Sequence, residues 1–401
     1  MLNYFYLYAL IWSGILIVYS LGWSDLCASL EISLLCFFVI TIIISLFFGY
    51  LFRGRFSFRA VERMPRSSNK IIFAVISMCC LEFVYCRQIP LFSILRNGGG
   101  YTSFYGIPSL HPLIITFASF YAFYIFYLYV CFPQKKELLW KYGILLCVIY
   151  LLYYNRGGLM IHVLMAMLMY LSSVKTRAVN GLKKKQMIFY MILALLLVIA
   201  AFYIFGGLGN MRHGFAWDDT SYMEGLGRFN DRYPAWLPKQ FMWAYIYIIT
   251  PLANINYNIA LQTQHVNFWG FVFTFVPDFL TKRIYDGPLY YPEIVVKNTF
   301  NATAGFGNAY MNGGIPGMYF MYVYLMFGLY FLLCKVRPKH KYQIPYMLIM
   351  DQIVVFLFFT NTIAYSAVSF SMVYPMLSVL KFRRNVLFYR QTGQGKADAA
   401  G

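Results

Sequence analysis

Apolar runs of about 20 residues recur from one end of this chain to the other, and they limit its possible folds more than any other feature. As helices, which rise about 1.5 Å per residue, such runs match the roughly 30 Å hydrocarbon core of a bilayer. Composition agrees. Of the 401 residues 61% are hydrophobic and 12% charged, against roughly half and a quarter in soluble domains. A soluble globular protein is therefore excluded. The chain reads as an all-α polytopic membrane protein, one membrane domain over residues 1–390 with about 10–12 transmembrane helices and extended outer loops. The expected crossings are 2–23, 28–52, 71–87, 110–132, 142–155, 157–173, 187–208, 315–335, 344–365 and 367–380. Region 241–280, with prolines at 251 and 277 and several asparagines, reads as a re-entrant or interfacial hairpin, or else as two extra crossings. The polar residues 391–401 read as a disordered cytoplasmic tail. The first run lacks a basic leader and a small-residue cleavage site, so it reads as a retained helix.

The net charge of +19 is mostly topology rather than a nucleic-acid footprint. Loops such as 53–70 and 175–185 concentrate lysine and arginine with few acids, which marks them as cytoplasmic and places both termini inside. Arg87, Arg96, Arg156, Arg212, Arg228, Arg232, Lys239, Lys282, Arg283 and Lys297 fall on or near the opposite face and need another explanation. They concentrate in three outer segments, 87–110, 209–240 and 281–314, and in a tight turn at 155–158. Eight cysteines without paired spacing in those loops predict neither a disulfide nor a metal centre. No Walker loop, dinucleotide-binding glycine pattern or metalloprotease motif is present, so no nucleotide, metal or other cofactor is expected.

Segment 209–240 is the most charged interruption in the apolar pattern. Arg212 and His213 directly follow a crossing. Arg228 and Arg232 are four apart, a spacing that would put them on one helical face for a diphosphate, or pair them with Glu224 and Asp231. His213 is of the residue type that exchanges protons near neutral pH. Glu82 lies within a crossing, where a carboxylate is expensive; it is either functional, held in an ion pair with an arginine such as Arg156, or snorkelling to the interface. Arg156 stands where one crossing ends and the next begins, suited to a lipid phosphate or to plain interfacial anchoring. The glycine run in RNGGGYTSFYGIP, after Arg87, reads as a mobile lid, an anion nest or a flexible loop.

Taken in order, EFVYCRQIPL (82–91), YTSFYGIPSLH (101–111), NRG (155–157), GNMR (209–212), YIITPLAN (247–254) and NTFNATAGFGNAYMNGGIPG (298–317) resemble the bacterial O-antigen and oligosaccharide repeat-unit polymerases, the Wzy family. Asn312, Gly313 and Gly314 depart from the pattern, since members often carry an Asp-Phe-Gly-like turn there. The resemblance implies a helical fold of the lipid-linked-sugar glycosyltransferase (GT-C-like) class in the bacterial inner membrane, with a periplasmic active site. It implies a metal-independent glycosyltransferase. The enzyme would move a glycan from undecaprenyl pyrophosphate to the non-reducing end of another lipid-linked repeat unit, with membrane lipid and a chain-length regulator as partners. An O-antigen ligase and a lipid-linked oligosaccharide flippase are the competing readings. Carried over, the catalytic expectations are Arg156 and Arg212 for the leaving pyrophosphate, with Glu82 or His213 as base. The expected substrate-binding residues are Arg87, Tyr101, Tyr105, Arg228 and Arg232, joined by His111 and Asn298 from the matching segments.

Overall fold

The computed structural model describes residues 2–65, 69–97, 104–178, 184–284, 294–336, 340–364 and 366–377. Among these residues every named element is a helix, joined by turns and irregular loops. In chain order the helices are α1 (Tyr4–Ser20), α2 (Ile32–Leu51), α3 (Asn69–Cys86), α4 (Pro90–Asn97), α5 (Leu110–Cys131), α6 (Glu137–Leu146), α7 (Arg156–Ala178), α8 (Lys184–Arg212) and α9 (Ser221–Gly227). They continue with α10 (Phe241–Ala260), α11 (Phe268–Phe273), α12 (Asp278–Ile284), α13 (Gly307–Lys335), α14 (Gln343–Phe356) and α15 (Ser366–Ser369). Among the described residues five segments are long and apolar enough to cross a membrane: Ile32–Leu51, Asn69–Cys86, Leu110–Cys131, Gly157–Val174 and Gly307–Lys335. Tyr4–Ser20, Val198–Met211 and Gln343–Phe356 are shorter apolar helices.

Contacts divide the chain into two compact units. The first comprises Met1–Ser57, Met167–Met326 and Asp351–Tyr365, and the second Phe58–Ala166, Phe327–Met350 and Ser366–Gly401. The core of the first is aromatic. Trp12 stacks on Phe38 with ring centroids 4.1 Å apart, and Phe306 meets Phe37 edge-on at 5.0 Å. Buried tyrosines require partners for their hydroxyls; Tyr8 bonds to Thr41 at 2.9 Å and Tyr322 to Ser45 at 2.6 Å. Asn3 caps α1 by accepting from the Phe5 amide, and its own amide donates to the Gly49 carbonyl of α2 at 3.0 Å. Helix α8 packs against α10 through glycines. A Cβ on Gly206 would collide with the Gln240 carbonyl at the start of α10, and one on Gly209 would stand 2.7 Å from the Trp243 indole. Such small residues allow a close backbone approach.

Region 241–280 forms one 20-residue helix, α10, followed by α11 and α12 of 6 and 7 residues, both well short of the about 20 that a crossing requires. Pro251 does not end α10. Its asparagines are not stranded polar groups. Asn254 donates to the Phe300 and Ala302 carbonyls and accepts from the Val296 amide, Asn258 bonds both backbone groups of Ile294, and Asn256 holds Ser29 and Glu31. Helix α13 is broken at Gly314 (φ 61, ψ −159), two residues before Pro316, so its regular second part begins where the sequence pattern places a crossing. The break frees the Met311 and Asn312 carbonyls, which accept from His265 and Asn267.

In the second unit α5 packs against α6 and α3, with Phe123 stacked 3.7 Å above His162. Helix α6 passes into a π-helical turn, Cys147–Leu151, and the chain then reverses through Tyr154 in the left-handed region. Asn155 caps the next helix, its Oδ1 accepting from the Gly158 amide at 2.9 Å. The tight turn expected at 155–158 is thus a helix start, and Arg156 is the first residue of α7.

Candidate active site

Glu82 is fully buried on α3, and three donors converge on its carboxylate. The Ile107 amide donates to Oε1 at 3.1 Å; His111 Nδ1, at 2.9 Å, and the Tyr153 hydroxyl, at 2.6 Å, both meet Oε2. A carboxylate offers only acceptors when ionised, so every partner must donate. His111 therefore donates from Nδ1, and in the neutral imidazole that tautomer presents a lone pair at Nε2. Solvent reaches 29% of the His111 side chain and none of that of Glu82. The partner of Glu82 is thus a histidine 29 residues on, where the sequence suggests an arginine such as Arg156 as its ion-pair partner.

The loop before α5 makes the pairing possible. Gly106 adopts φ 66, and a Cβ there would fall 2.6 Å from His111 Cγ, so glycine is needed both for its conformation and for space. Phe104 packs against Tyr153 (5.4 Å) and Phe83 against Tyr153 (4.8 Å), forming an apolar wall around the carboxylate. The Leu91 amide donates to the Leu152 carbonyl at 3.1 Å, which fixes the start of α4 beside the Tyr153 turn. Arg156 follows Tyr153 by three residues, so their Cα atoms lie within about 11 Å. Its backbone opens α7, the helix end at which free N–H groups favour anions.

Other expected substrate residues of this unit are less engaged. Arg87 is exposed and sits beyond α3 in the left-handed region (φ 51). Tyr105 is 82% exposed. Tyr101 lies outside the described residues. Tyr153 was missed from sequence, since one tyrosine among 37 carries little signal.

Segment 209–240 belongs to the first unit. Arg212 is the last residue of α8. His213 lies in an aromatic stack, 4.6 Å from the Tyr222 ring and 5.3 Å from Trp243, and its Nδ1 donates to the Gly209 carbonyl at 3.0 Å. Asn210 ties the stack down by accepting from Trp243 Nε1 and donating to the Trp217 carbonyl. The expected shared face of Arg228 and Arg232 is corrected: α9 ends at Gly227, Arg228 turns left-handed (φ 46), and Arg232 lies in the following turn. Two glycines in GLGR end the helix before the pair can align. Glu224 likewise pairs with Lys239 at 2.8 Å rather than with Arg228, and the Lys239 and Thr220 hydrogen bonds hold its carboxyl below its usual range. Asn298 is exposed in the segment that α10 holds. Among the described residues no cluster of three or more histidines, cysteines or acids has metal-binding geometry.

Comparison of the chain with protein-family models, curated proteins and solved structures finds no match.

Proposed function

We propose that this protein is a repeat-unit polymerase of the Wzy kind, transferring a glycan from undecaprenyl pyrophosphate to another lipid-linked repeat unit at the outer face of a bacterial inner membrane. The observation that carries this reading is the pairing of Glu82 with His111. Glycosyl transfer to a sugar hydroxyl needs a base, and a solvent-reached imidazole held by a buried carboxylate is built to act as one. His111 Nε2 takes the proton of the acceptor hydroxyl as its oxygen bonds to the donor's anomeric carbon. The bond from that carbon to the pyrophosphate oxygen breaks, and the pyrophosphate leaves with the electron pair. Glu82, expected as the base itself, instead orients the imidazole and balances its charge. Arg156, whose backbone opens α7, is the residue assigned to the leaving group, where positive charge lowers the barrier most. The resemblance adds Arg212. The helical fold, with five helices among the described residues suited to a bilayer, supports the membrane setting of this reading.

The test is the surface-glycan ladder of a deletion strain complemented with His111→Ala, Arg156→Ala or Arg212→Ala. A positioned base contributes about 100- to 10,000-fold, so His111→Ala should reduce the product to a single repeat on the lipid core. Loss of all glycan would indicate a ligase. Accumulation of donor in the inner leaflet would indicate a flippase, and an unchanged ladder with His111→Ala would refute the transfer reading, which the Glu82–His111 pairing carries.

A further inference from the structure

A second constellation in the first unit takes no part in this proton transfer. Segments 22–27 and 227–232, about 200 residues apart in sequence, are held together by an isolated β-bridge between Ser24 and Phe229. The Asp25 amide donates to the Arg228 carbonyl at 2.9 Å, and the Asn230 amide donates to the Trp23 carbonyl at 3.1 Å. Ser24, almost wholly buried, donates to the Gly227 carbonyl. Between the segments lies a cavity of about 350 Å³ lined by Gly22, Ser24, Asp25, Cys27, Asn230, Asp231 and Arg232. This lies at the lower end of the roughly 300–1,000 Å³ typical of small-molecule sites.

The walls are set before any ligand arrives. Asn230 donates to both the Gly22 carbonyl (3.1 Å) and Asp25 Oδ1 (2.8 Å), and it accepts from the Arg232 amide. Gly22 is left-handed (φ 60), and a Cβ on it would stand 3.0 Å from Arg232 Nη1, so the guanidinium packs against bare backbone. Behind the wall Trp23 packs on Tyr245 (5.0 Å) and Tyr233 (5.2 Å). Burial pushes the Cys27 thiol up to about 11, so it adds no charge. Although two carboxylates and a guanidinium surround one cavity, neither Asp231 nor Arg232 forms an ion pair among the described residues. Their acceptors and donors remain available. Carboxylates accept from hydroxyls and a guanidinium donates to them, which is the complement that a sugar ring with adjacent hydroxyls presents. The lining carries one net negative charge, so an anionic ring is disfavoured.

We infer that this cavity is a carbohydrate subsite that takes a neutral or amino hexose and rejects a uronic acid. The inference deepens the glycan-transfer reading and rests on it for the source of the sugar. The test uses the full chain in lipid nanodiscs, with free N-acetylglucosamine, galactosamine and glucuronic acid as probes in saturation-transfer NMR titrations. N-acetylglucosamine or galactosamine should receive saturation and glucuronic acid should not. Arg232→Ala and Asp231→Asn should each weaken binding by about tenfold, as expected for loss of one charge-assisted hydrogen bond. Both residues are exposed, so these variants should fold, and Arg232→Lys, which keeps the cation, should retain part of the binding. No transfer to any probe, equal transfer to glucuronic acid, or transfer unchanged in the variants overturns the subsite. His111→Ala separates the two proposals. If it leaves the glycan ladder intact while the cavity variants lose the NMR signal, the transfer reading fails and the subsite stands. If it shortens the ladder while the cavity variants keep the signal, the reverse holds.

Discussion

Replacing Glu82 by glutamine preserves the shape of the side chain and removes one acceptor, so its cost can be worked out bond by bond. Glutamine has a single carbonyl oxygen. If that oxygen takes the place of Oε2, it keeps His111 and Tyr153 but turns an NH2 group towards the Ile107 amide, donor against donor. One charge-assisted bond of about 1.5–3 kcal/mol is lost, and two others fall by about 1 kcal/mol each as the charge disappears. Relief of carboxylate desolvation offsets part of this, leaving a net destabilisation of about 2–3 kcal/mol. Tyr153→Phe should cost less, about 1–2 kcal/mol, because the carboxylate keeps two donors and no buried group is orphaned. Thermal unfolding in detergent, followed by tryptophan fluorescence, should therefore rank wild type above Tyr153→Phe and Tyr153→Phe above Glu82→Gln. Glycan ladders from the same strains should show Glu82→Gln shortened like His111→Ala. A Glu82→Gln protein as stable as wild type, or less perturbed than Tyr153→Phe, would refute the reasoning.

Gly206→Ala drives a methyl group into the Gln240 carbonyl and should destabilise by about 1–3 kcal/mol as an overpacked contact, readable as a lowered unfolding midpoint. Asn254→Ala removes three bonds to residues 296–302; limited proteolysis should then cut that segment faster while sites elsewhere keep their rates. Glu224 has a depressed folded-state pKa, so its pairing with Lys239 stabilises above the unfolded value, near 4.3, and that contribution is lost as pH falls through the lower folded value. Unfolding midpoints of wild type and Glu224→Gln should accordingly converge below about pH 4 and separate above it.

The helical class was legible because a bilayer demands the same apolar length everywhere, and α2, α3 and α5 lie close to the runs that predicted them. The start of α7 was not legible: a glycine pair after Asn155 reads as a tight turn, whereas Asn155 caps the helix there by accepting from the Gly158 amide. Most of the other failures depended on partners distant in sequence. Glu82 was conspicuous as a carboxylate in an apolar run, yet nothing local identifies His111 and Tyr153 as its partners, because a left-handed glycine at 106 and a π-helical turn bring them together. The alignment expected for Arg228 and Arg232 followed a four-residue spacing and overlooked Gly225 and Gly227, which end α9. In α10 the asparagines look like a break in an apolar helix, because the loop carbonyls they hold lie more than 40 residues away.

Those asparagines also bear on how such a protein can diversify. Asn254 and Asn258 grip residues 294–302 by main-chain carbonyls and amides, so the path of the segment does not depend on the identity of its side chains. Asn298, Thr299 and Asn301 are exposed on a track whose course is set from beneath. Substitutions there can change what the surface presents without altering where the chain runs. Variation would thus be cheap at these positions and costly at the two asparagines, which separates the part of the sequence free to change its surface from the part that must stay constant.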